Sequence, residues 1–77
     1  MNEFKKKRIE MKLSIIEVVN DLKYPISTIE AIERGECNFM LQPYSYYCIK
    51  SYGIYLEIEN LSDILKNLEK KYSTKQQ

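Results

Sequence analysis

The sequence predicts an all-α fold, a compact five-helix bundle that forms a single domain. Three observations lead to this prediction. Apolar residues recur at intervals of three and four along most of the chain, which is the period of an α-helix. Neither an Asn-Gly or Asp-Gly pair nor a sustained alternation of apolar and polar residues indicates a strand. The chain has only two glycines and two prolines, so few positions interrupt a helix.

Two short helices are predicted at the start of the chain. Helix one covers residues 2–11. Ser14 is a good N-cap for helix two, and Glu17 follows three residues later, which is the spacing of a capping box. The residues predicted to face the core are Phe4, Arg8 and Met11 in helix one, and Ile15, Val18, Val19 and Leu22 in helix two.

Helix three follows after a short turn at residues 23–24. Pro25 suits its first turn, where the missing N–H of proline costs nothing, and Gly35 is a natural stop after its last residue. The residues that recur at helical spacing in helix three are Ile26, Ile29, Ile32 and Glu33.

A loop over residues 36–42 separates helix three from the last two helices. Helix four is predicted over residues 43–56, and Asn60 is suited to cap helix five. The domain is predicted to cover residues 1–72, followed over residues 73–77 by a disordered tail or the start of a linker. The apolar positions of helix five are Leu61, Ile64, Leu65, Leu68 and Tyr72.

The composition argues against several kinds of site. Histidine is absent and Cys37 and Cys48 do not form a CxxC pair, so we expect neither a metal site nor a cofactor. Two unpaired cysteines also fit a reducing, cytoplasmic compartment. Neither cysteine has an obvious base, and no pair of carboxylates has a spacing that indicates a cleft. We therefore expect a domain that is not an enzyme.

The charge pattern is weak overall but basic at both ends. A net charge of +1 gives no general attraction to nucleic acid or membrane. Residues 5–8 form one basic run, and lysines recur near the C-terminus. Such runs are typical of solvated helix faces, although contact with phosphate or anionic lipid is the alternative. The C-terminal cations are Lys66, Lys70, Lys71 and Lys75.

The stretch LSIIEVVNDLKYPISTIEAIERGE, residues 13–36, has the pattern of two short helices joined by a tight turn. It resembles the Xre/Cro-like helix-turn-helix. In that family an arginine of the first helix pairs with the glutamate before the terminal glycine, and Arg8 and Glu33 occupy these positions. The resemblance implies an inter-helix clamp. Lys12 stands where the family usually has glycine, and Lys23 replaces a common small turn residue.

The surface that reads DNA in such proteins is poorly equipped here. Base edges in the major groove are bound mainly by Arg, Lys, Asn and Gln. Glu30 adds negative charge beside the phosphates, which weakens binding. Binding of DNA as an Xre-family transcriptional regulator therefore stays as the alternative function. The positions predicted to point outward, and so to contact DNA, are Ser27, Thr28, Glu30, Ala31 and Arg34.

Helix four, PYSYYCIKSYGIYL, carries two apolar stripes where a surface helix needs only one. One stripe can face the core, and the other is predicted to be a protein-docking face, because tyrosine is enriched at interface anchors. The alternative is that Phe39, Met40 and Leu41 of the loop cover the second stripe. The first stripe comprises Ser45, Ile49, Tyr52 and Leu56, and the second Tyr44, Tyr47, Cys48, Ser51 and Tyr55.

Residues 4–65 are similar to a narrower group, the N-terminal cytoplasmic domain of the bacterial cell-shape protein RodZ. Residues 24–29 match the turn and the start of helix three in that group, and Gly53 replaces its alanine. The residues of helix four in register with its pattern are Tyr44, Ile49, Lys50, Ser51, Tyr52 and Leu56.

This resemblance implies a protein-protein interaction domain that docks on the actin-like cytoskeletal filament protein MreB. Two aromatic residues of helix four, four residues apart, are important for that contact. They fall on Tyr44 and Cys48 of this chain, so the second is not aromatic. Tyr47 or Tyr55, on the same stripe, is expected to supply the lost aromatic surface.

The resemblance also implies a place in the cell. A short basic linker and one transmembrane helix are expected beyond Gln77, which would hold the domain in the cytoplasm at the inner face of the cell membrane. The C-terminal lysines agree with an anionic leaflet nearby. Lys5 and Lys6 are expected to add a contact with an acidic partner or with lipid beside the docking face.

Overall fold

The computed structural model describes the backbone of residues 2–36 and 43–75 and the side chains of residues 3–36 and 43–70. The all-α prediction is confirmed, since these residues form five helices and no strand. The predicted loop lies outside the described residues except for Glu36. The helices are α1 (Asn2–Glu10), α2 (Ile15–Leu22), α3 (Ile26–Glu33), α4 (Tyr44–Tyr55) and α5 (Leu61–Lys75).

The capping box at the start of α2 is confirmed in both of its hydrogen bonds. The backbone N–H of Glu17 donates to Ser14 Oγ at 3.1 Å, and the N–H of Ser14 donates to Glu17 Oε2 at 3.0 Å. Each bond satisfies an N–H group that has no partner inside the helix. An N-cap of this kind contributes about 1 kcal/mol, so it fixes where α2 begins.

Three tight turns place non-glycine residues in the left-handed region. Lys12 (φ 58°) follows α1, Lys23 (φ 63°) ends α2, and Glu57 (φ 56°) follows α4. Each costs roughly 1–2 kcal/mol relative to a right-handed conformation. Gly35 adopts φ 86° after α3 without this penalty. The bundle is therefore stable enough to impose sharp turns on side chains that disfavour them.

The core is built from residues of all five helices. Phe4 and Tyr52 pack ring against ring, with centroids 5.4 Å apart and planes tilted by 54°. Aliphatic side chains surround this pair and exclude water from it. The fully buried apolar residues are Phe4, Val18, Ile29, Ile32, Ile49, Tyr52 and Leu56, and Leu68 of α5 is nearly so.

A polar cluster at the edge of the core confirms the predicted clamp. Arg8 Nε donates to Glu33 Oε2 at 2.8 Å, and Arg8 Nη2 donates to Glu33 Oε1 at 3.3 Å. Arg8 Nη1 also donates to the carbonyl oxygen of Leu13 at 3.0 Å. The hydroxyl of Tyr52 donates to Glu33 Oε2 at 2.5 Å. Glu33 raises the pKa of Arg8, and the cluster joins α1, α3 and α4.

Gly53 lets α5 approach α4 closely. A Cβ atom at this position would lie 2.3 Å from Leu61 Cδ1 and 3.1 Å from Leu61 Cγ, which is too close for two carbon atoms. Gly53 is buried, and Leu61 is the first residue of α5. Glycine at this position therefore has a packing reason, since even one methyl group would force the Leu61 side chain to move.

Some predicted positions in helices one and three differ from the structure. Met11 is exposed, because α1 ends at Glu10 and the chain turns away through Lys12. Ile26 is also exposed, because it is the first residue of α3 and precedes the turn that packs against the core.

Helix boundaries differ as well. Pro25 and Pro43 precede α3 and α4 as N-cap residues instead of starting them. Helix α5 continues to Lys75 and so enters the predicted tail, because residues 73–75 contain no glycine or proline that would end it.

Replacing Arg8 with methionine tests the clamp. The variant leaves the carboxylate of Glu33, which is mostly buried, without its cation, and we expect a loss of about 3–5 kcal/mol in the free energy of unfolding. The matched control is Arg34→Met, because Arg34 forms an equally short but exposed pair with Glu36, 2.8 Å between Nε and Oε2. Urea unfolding followed by circular dichroism measures both. Equal effects of the two variants would contradict a structural role for the clamp.

Candidate partner-binding face on helix α4

One side of α4 is exposed and largely apolar. Tyr44, Tyr47 and Ile54 keep 62%, 53% and 59% of their surface in contact with solvent, and Lys50 lies exposed among them. These positions are separated by three or four residues, so they lie along one side of the helix over about 15 Å. We call Tyr44, Tyr47, Lys50 and Ile54 the outer face of α4.

The opposite side of α4 faces the core. The predicted first stripe is confirmed, since all four of its members are completely buried. Ser45, the smallest of the four, has an interaction partner in the interior. The helix is therefore divided cleanly between an interior side and the outer face. The stripe comprises Ser45, Ile49, Tyr52 and Leu56.

Three tyrosines fix the rotation of α4, each through a carboxylate of a different helix. Tyr52 donates to Glu33 of α3, as described above. The hydroxyl of Tyr55 donates to Asp21 Oδ2 of α2 at 2.5 Å, and that of Tyr46 donates to Glu69 Oε1 of α5 at 3.0 Å. Because these bonds point in different directions around α4, the helix cannot rotate without breaking at least one. The outer face therefore has a fixed orientation.

The pKa values of two of these tyrosines reflect the same contacts. Burial and the hydrogen bond to Glu33 raise the pKa of Tyr52 well above its ordinary value. The hydrogen bond to Asp21, with a smaller contribution from desolvation, raises the pKa of Tyr55 to about 12. Both hydroxyls therefore stay protonated and keep donating at neutral pH.

Two predicted members of the docking face lie elsewhere. Cys48 is only 8% exposed and belongs to the core, so its prediction as an exposed contact is wrong. Burial raises the pKa of its thiol, and a hydrogen bond with Tyr24 partly offsets this rise. Tyr55 is half-buried and engaged with Asp21. Both residues occupy the border between the two sides of α4, where neighbouring helices cover them.

Sequence reasoning missed Ile54 as a member of this face. Position 54 lies seven residues after Tyr47, which is close to two helical turns, so the periodicity contained the signal. The predicted second stripe centres on the tyrosines and therefore does not include Ile54. The predicted cover by Phe39, Met40 and Leu41 lies outside the described residues.

Of the two exposed tyrosines, Tyr47 is held by a neighbouring ring. Tyr47 packs edge-on against Tyr46, with ring centroids 5.6 Å apart and planes at 73°. Tyr46 is itself held by Glu69. Tyr47 is therefore partly preordered, which reduces the entropy lost when a partner binds it.

Lys5 and Lys6 form a separate basic patch on α1. Both are exposed, and they border a shallow depression with Ile9 and Glu10. Phe4, next to them in sequence, packs into the core against Tyr52, on the side of α4 away from its outer face. The expectation that Lys5 and Lys6 add a contact beside the docking face stays a prediction.

The model of a helix-turn-helix domain family matches residues 3–62 of the chain. The chain belongs to this helix-turn-helix domain family. The match extends from α1 to the start of α5 and so contains the whole outer face of α4. Comparison with curated proteins and with solved structures gave no match.

In this helix-turn-helix domain, the surface of α3 offers few groups for DNA. Ser27, Glu30 and Arg34 are exposed as predicted, but Thr28 and Ala31 are buried, so they are not outward positions. Helices α1, α2 and α4 all pack against α3, and the exposed residues of α3 are Ile26, Ser27 and Glu30. The Nε of Arg34 donates to Glu36, and this bond lowers the pKa of the glutamate.

Within residues 2–36 and 43–75, no group of three or more His, Cys, Asp or Glu residues is placed to hold a metal ion. Among the helices described, none combines the length and the apolar character that crossing a bilayer requires.

The bond between Tyr55 and Asp21 predicts a specific response to alkaline pH. The pKa of Tyr55 is raised in the folded state, so its stabilising effect is present below about pH 10 and is lost as the pH rises toward about 12. We expect Tyr55→Phe to lose less stability than the unmodified chain between about pH 9 and about pH 11.5. Urea unfolding at a series of pH values measures this difference.

The control is Tyr44→Phe, which removes an exposed hydroxyl for which the described residues provide no hydrogen bond. It should follow the pH dependence of the unmodified chain. If Tyr55→Phe also follows it, the bond does not contribute to stability in solution.

Proposed function

We propose that this helix-turn-helix domain is a protein-interaction domain of a RodZ-like cell-shape protein, and that it docks on an actin-like filament protein of the MreB type. The observation that carries the proposal is the outer face of α4. Three large apolar side chains there, Tyr44, Tyr47 and Ile54, are more than half exposed on a helix whose opposite side is fully buried.

The energetics favour a binding role for this face. Fully burying a large apolar side chain contributes about 1.5–3 kcal/mol, and these three are more than half exposed, so covering each one gains roughly half of that amount. Tyrosine also brings a polar hydroxyl and few rotatable bonds, which is why it is frequent among the residues that dominate binding energy. The orientation of α4 is fixed by Tyr46, Tyr52 and Tyr55, so the face requires little rearrangement on binding.

The choice of partner rests on the resemblance of residues 4–65 to the RodZ cytoplasmic domain. The resemblance places one docking aromatic at Tyr44, which is exposed. Its second position falls on the buried Cys48, and the neighbouring Tyr47 supplies an exposed ring instead. On this proposal the domain acts by binding alone, without catalysis, cofactor or metal, in the cytoplasm near the inner membrane.

Alanine substitutions in the outer face test this function. We expect Tyr47→Ala and Ile54→Ala each to weaken co-sedimentation with a purified MreB-type filament by roughly tenfold or more, as residues central to an interface do. Thermal unfolding of both variants should change little, because the two side chains are more than half exposed.

Ile16→Ala is the matched control, because Ile16 on α2 has nearly the same exposure as Ile54, 54% against 59%. It removes the same atoms from a different face and should leave filament binding unchanged. If Ile16→Ala and Ile54→Ala weakened filament binding equally, the proposed docking face would be contradicted. A large loss of stability in the α4 variants would contradict it as well.

DNA binding is the second candidate, and membership of a helix-turn-helix family favours it. The charges of the α3 surface weigh against it, because Glu30 is exposed and Arg34 is paired with Glu36. We expect no shift of a random-sequence duplex at about 50 mM salt and micromolar protein, where nonspecific DNA-binding proteins do bind. Salt-dependent, sequence-selective binding in a mobility-shift assay would favour the regulator over the docking domain.

A further inference from the structure

Lys50 is the only charged side chain in α4, whose sequence is YSYYCIKSYGIY. Along the helix axis it lies between Tyr47 and Ile54, about 4.5 Å and about 6 Å from them, and around the helix it stands about 40–60° to one side of both. The side chain is exposed, and the part of the chain that the structure describes gives it neither an ion pair nor a hydrogen bond. The apolar face therefore has one unpaired positive charge, partway along its length and at one edge.

A second copy of the chain fits this face poorly. In a two-fold symmetric pairing of outer faces whose axis passes near Lys50, the two Lys50 ammonium groups would be brought together. Helix α4 contains no acidic residue that could separate them. Glu57 and Glu59 lie beyond the end of the helix, at least about 10 Å from Lys50 along the axis direction, and Glu69 of α5 is already engaged by the hydroxyl of Tyr46.

A different protein can meet the charge directly. Covering Lys50 with a purely apolar surface would remove an ammonium group from water without compensation, which is strongly unfavourable. A carboxylate opposite Lys50 removes that penalty and selects against partners that lack one. The apolar side chains on either side exclude water from the pair and so strengthen it.

We propose that the outer face of α4 binds a surface on which a carboxylate lies between two apolar recesses. Lys50 pairs with this carboxylate, while Tyr47 and Ile54 fill the recesses on either side. Lys50 is thus a specificity-determining residue of the face. This inference rests on the proposed function, since it names the chemistry of the filament surface that the domain recognises.

Charge substitutions at Lys50 test the inference in the same co-sedimentation assay. We expect Lys50→Glu to weaken binding to the MreB-type filament roughly tenfold or more, because it places two negative charges opposite each other. Lys50→Met keeps most of the apolar stem and loses only the charge, so it should weaken binding less. Binding of the unmodified chain should decrease between about 50 and about 300 mM salt, whereas binding of Lys50→Met should depend less on salt.

Lys66→Glu is the matched control, because it makes the same charge change at an exposed position of α5. It should bind as the unmodified chain does. Reversal of one acidic residue of the filament protein to lysine should restore binding to Lys50→Glu, which would identify the partner carboxylate.

The outcomes separate this inference from the proposed function. If Tyr47→Ala weakens binding but Lys50→Glu does not, or if Lys50→Glu and Lys66→Glu weaken it equally, the role of Lys50 is overturned and the docking face stands. If the unmodified chain does not bind the filament, both proposals fail. A dimer in analytical ultracentrifugation that Tyr47→Ala dissociates would overturn the choice of a different protein as the occupant.

Discussion

The arrangement of the helices depends on the hydrogen bonds that the carboxylate of Glu33 accepts. It accepts hydrogen bonds from Arg8 of α1 and Tyr52 of α4, while Arg8 also binds the carbonyl of Leu13 before α2. One acidic group at the end of α3 therefore joins three helices and the turn that leads to a fourth. A largely buried charge is tolerated here because each of its oxygens has a donor, and losing one donor would expose the full cost of its desolvation.

The tyrosines of α4 fall into two groups, those whose hydroxyls bond to other helices and those whose rings are exposed. Tyr46, Tyr52 and Tyr55 direct their hydroxyls to carboxylates of three other helices and so set the rotation of α4. Tyr44 and Tyr47 remain exposed and give the helix its apolar outer surface. A single helix rich in one residue type can thus hold the bundle together and also present an apolar surface, because the phenol ring packs while its hydroxyl reaches the rim.

Much of this could be predicted from the sequence where the cause is local. The capping box of Ser14 follows from residue spacing, and the interior stripe of α4 follows from the helical period. The burial of Cys48 and Thr28 could not be predicted in the same way. The helical period gives the direction in which a side chain points from its own helix. Whether a side chain between the buried and exposed sides is covered depends on which other helices pack there. The left-handed turn at Glu57 also has no sequence signal, since glycine is the usual residue for that conformation.

The absence of a side chain at Gly53 has an effect beyond the core. Because the side chain of Leu61 packs directly against this position, any larger residue there would force Leu61, the first residue of α5, to move. Helix α5 also carries Glu69, which holds Tyr46, and Tyr46 supports the ring of Tyr47. Helix α5 therefore links the packing around Gly53 to the pose of a surface ring, so a methyl group added in the interior acts on the helix that supports part of the outer face.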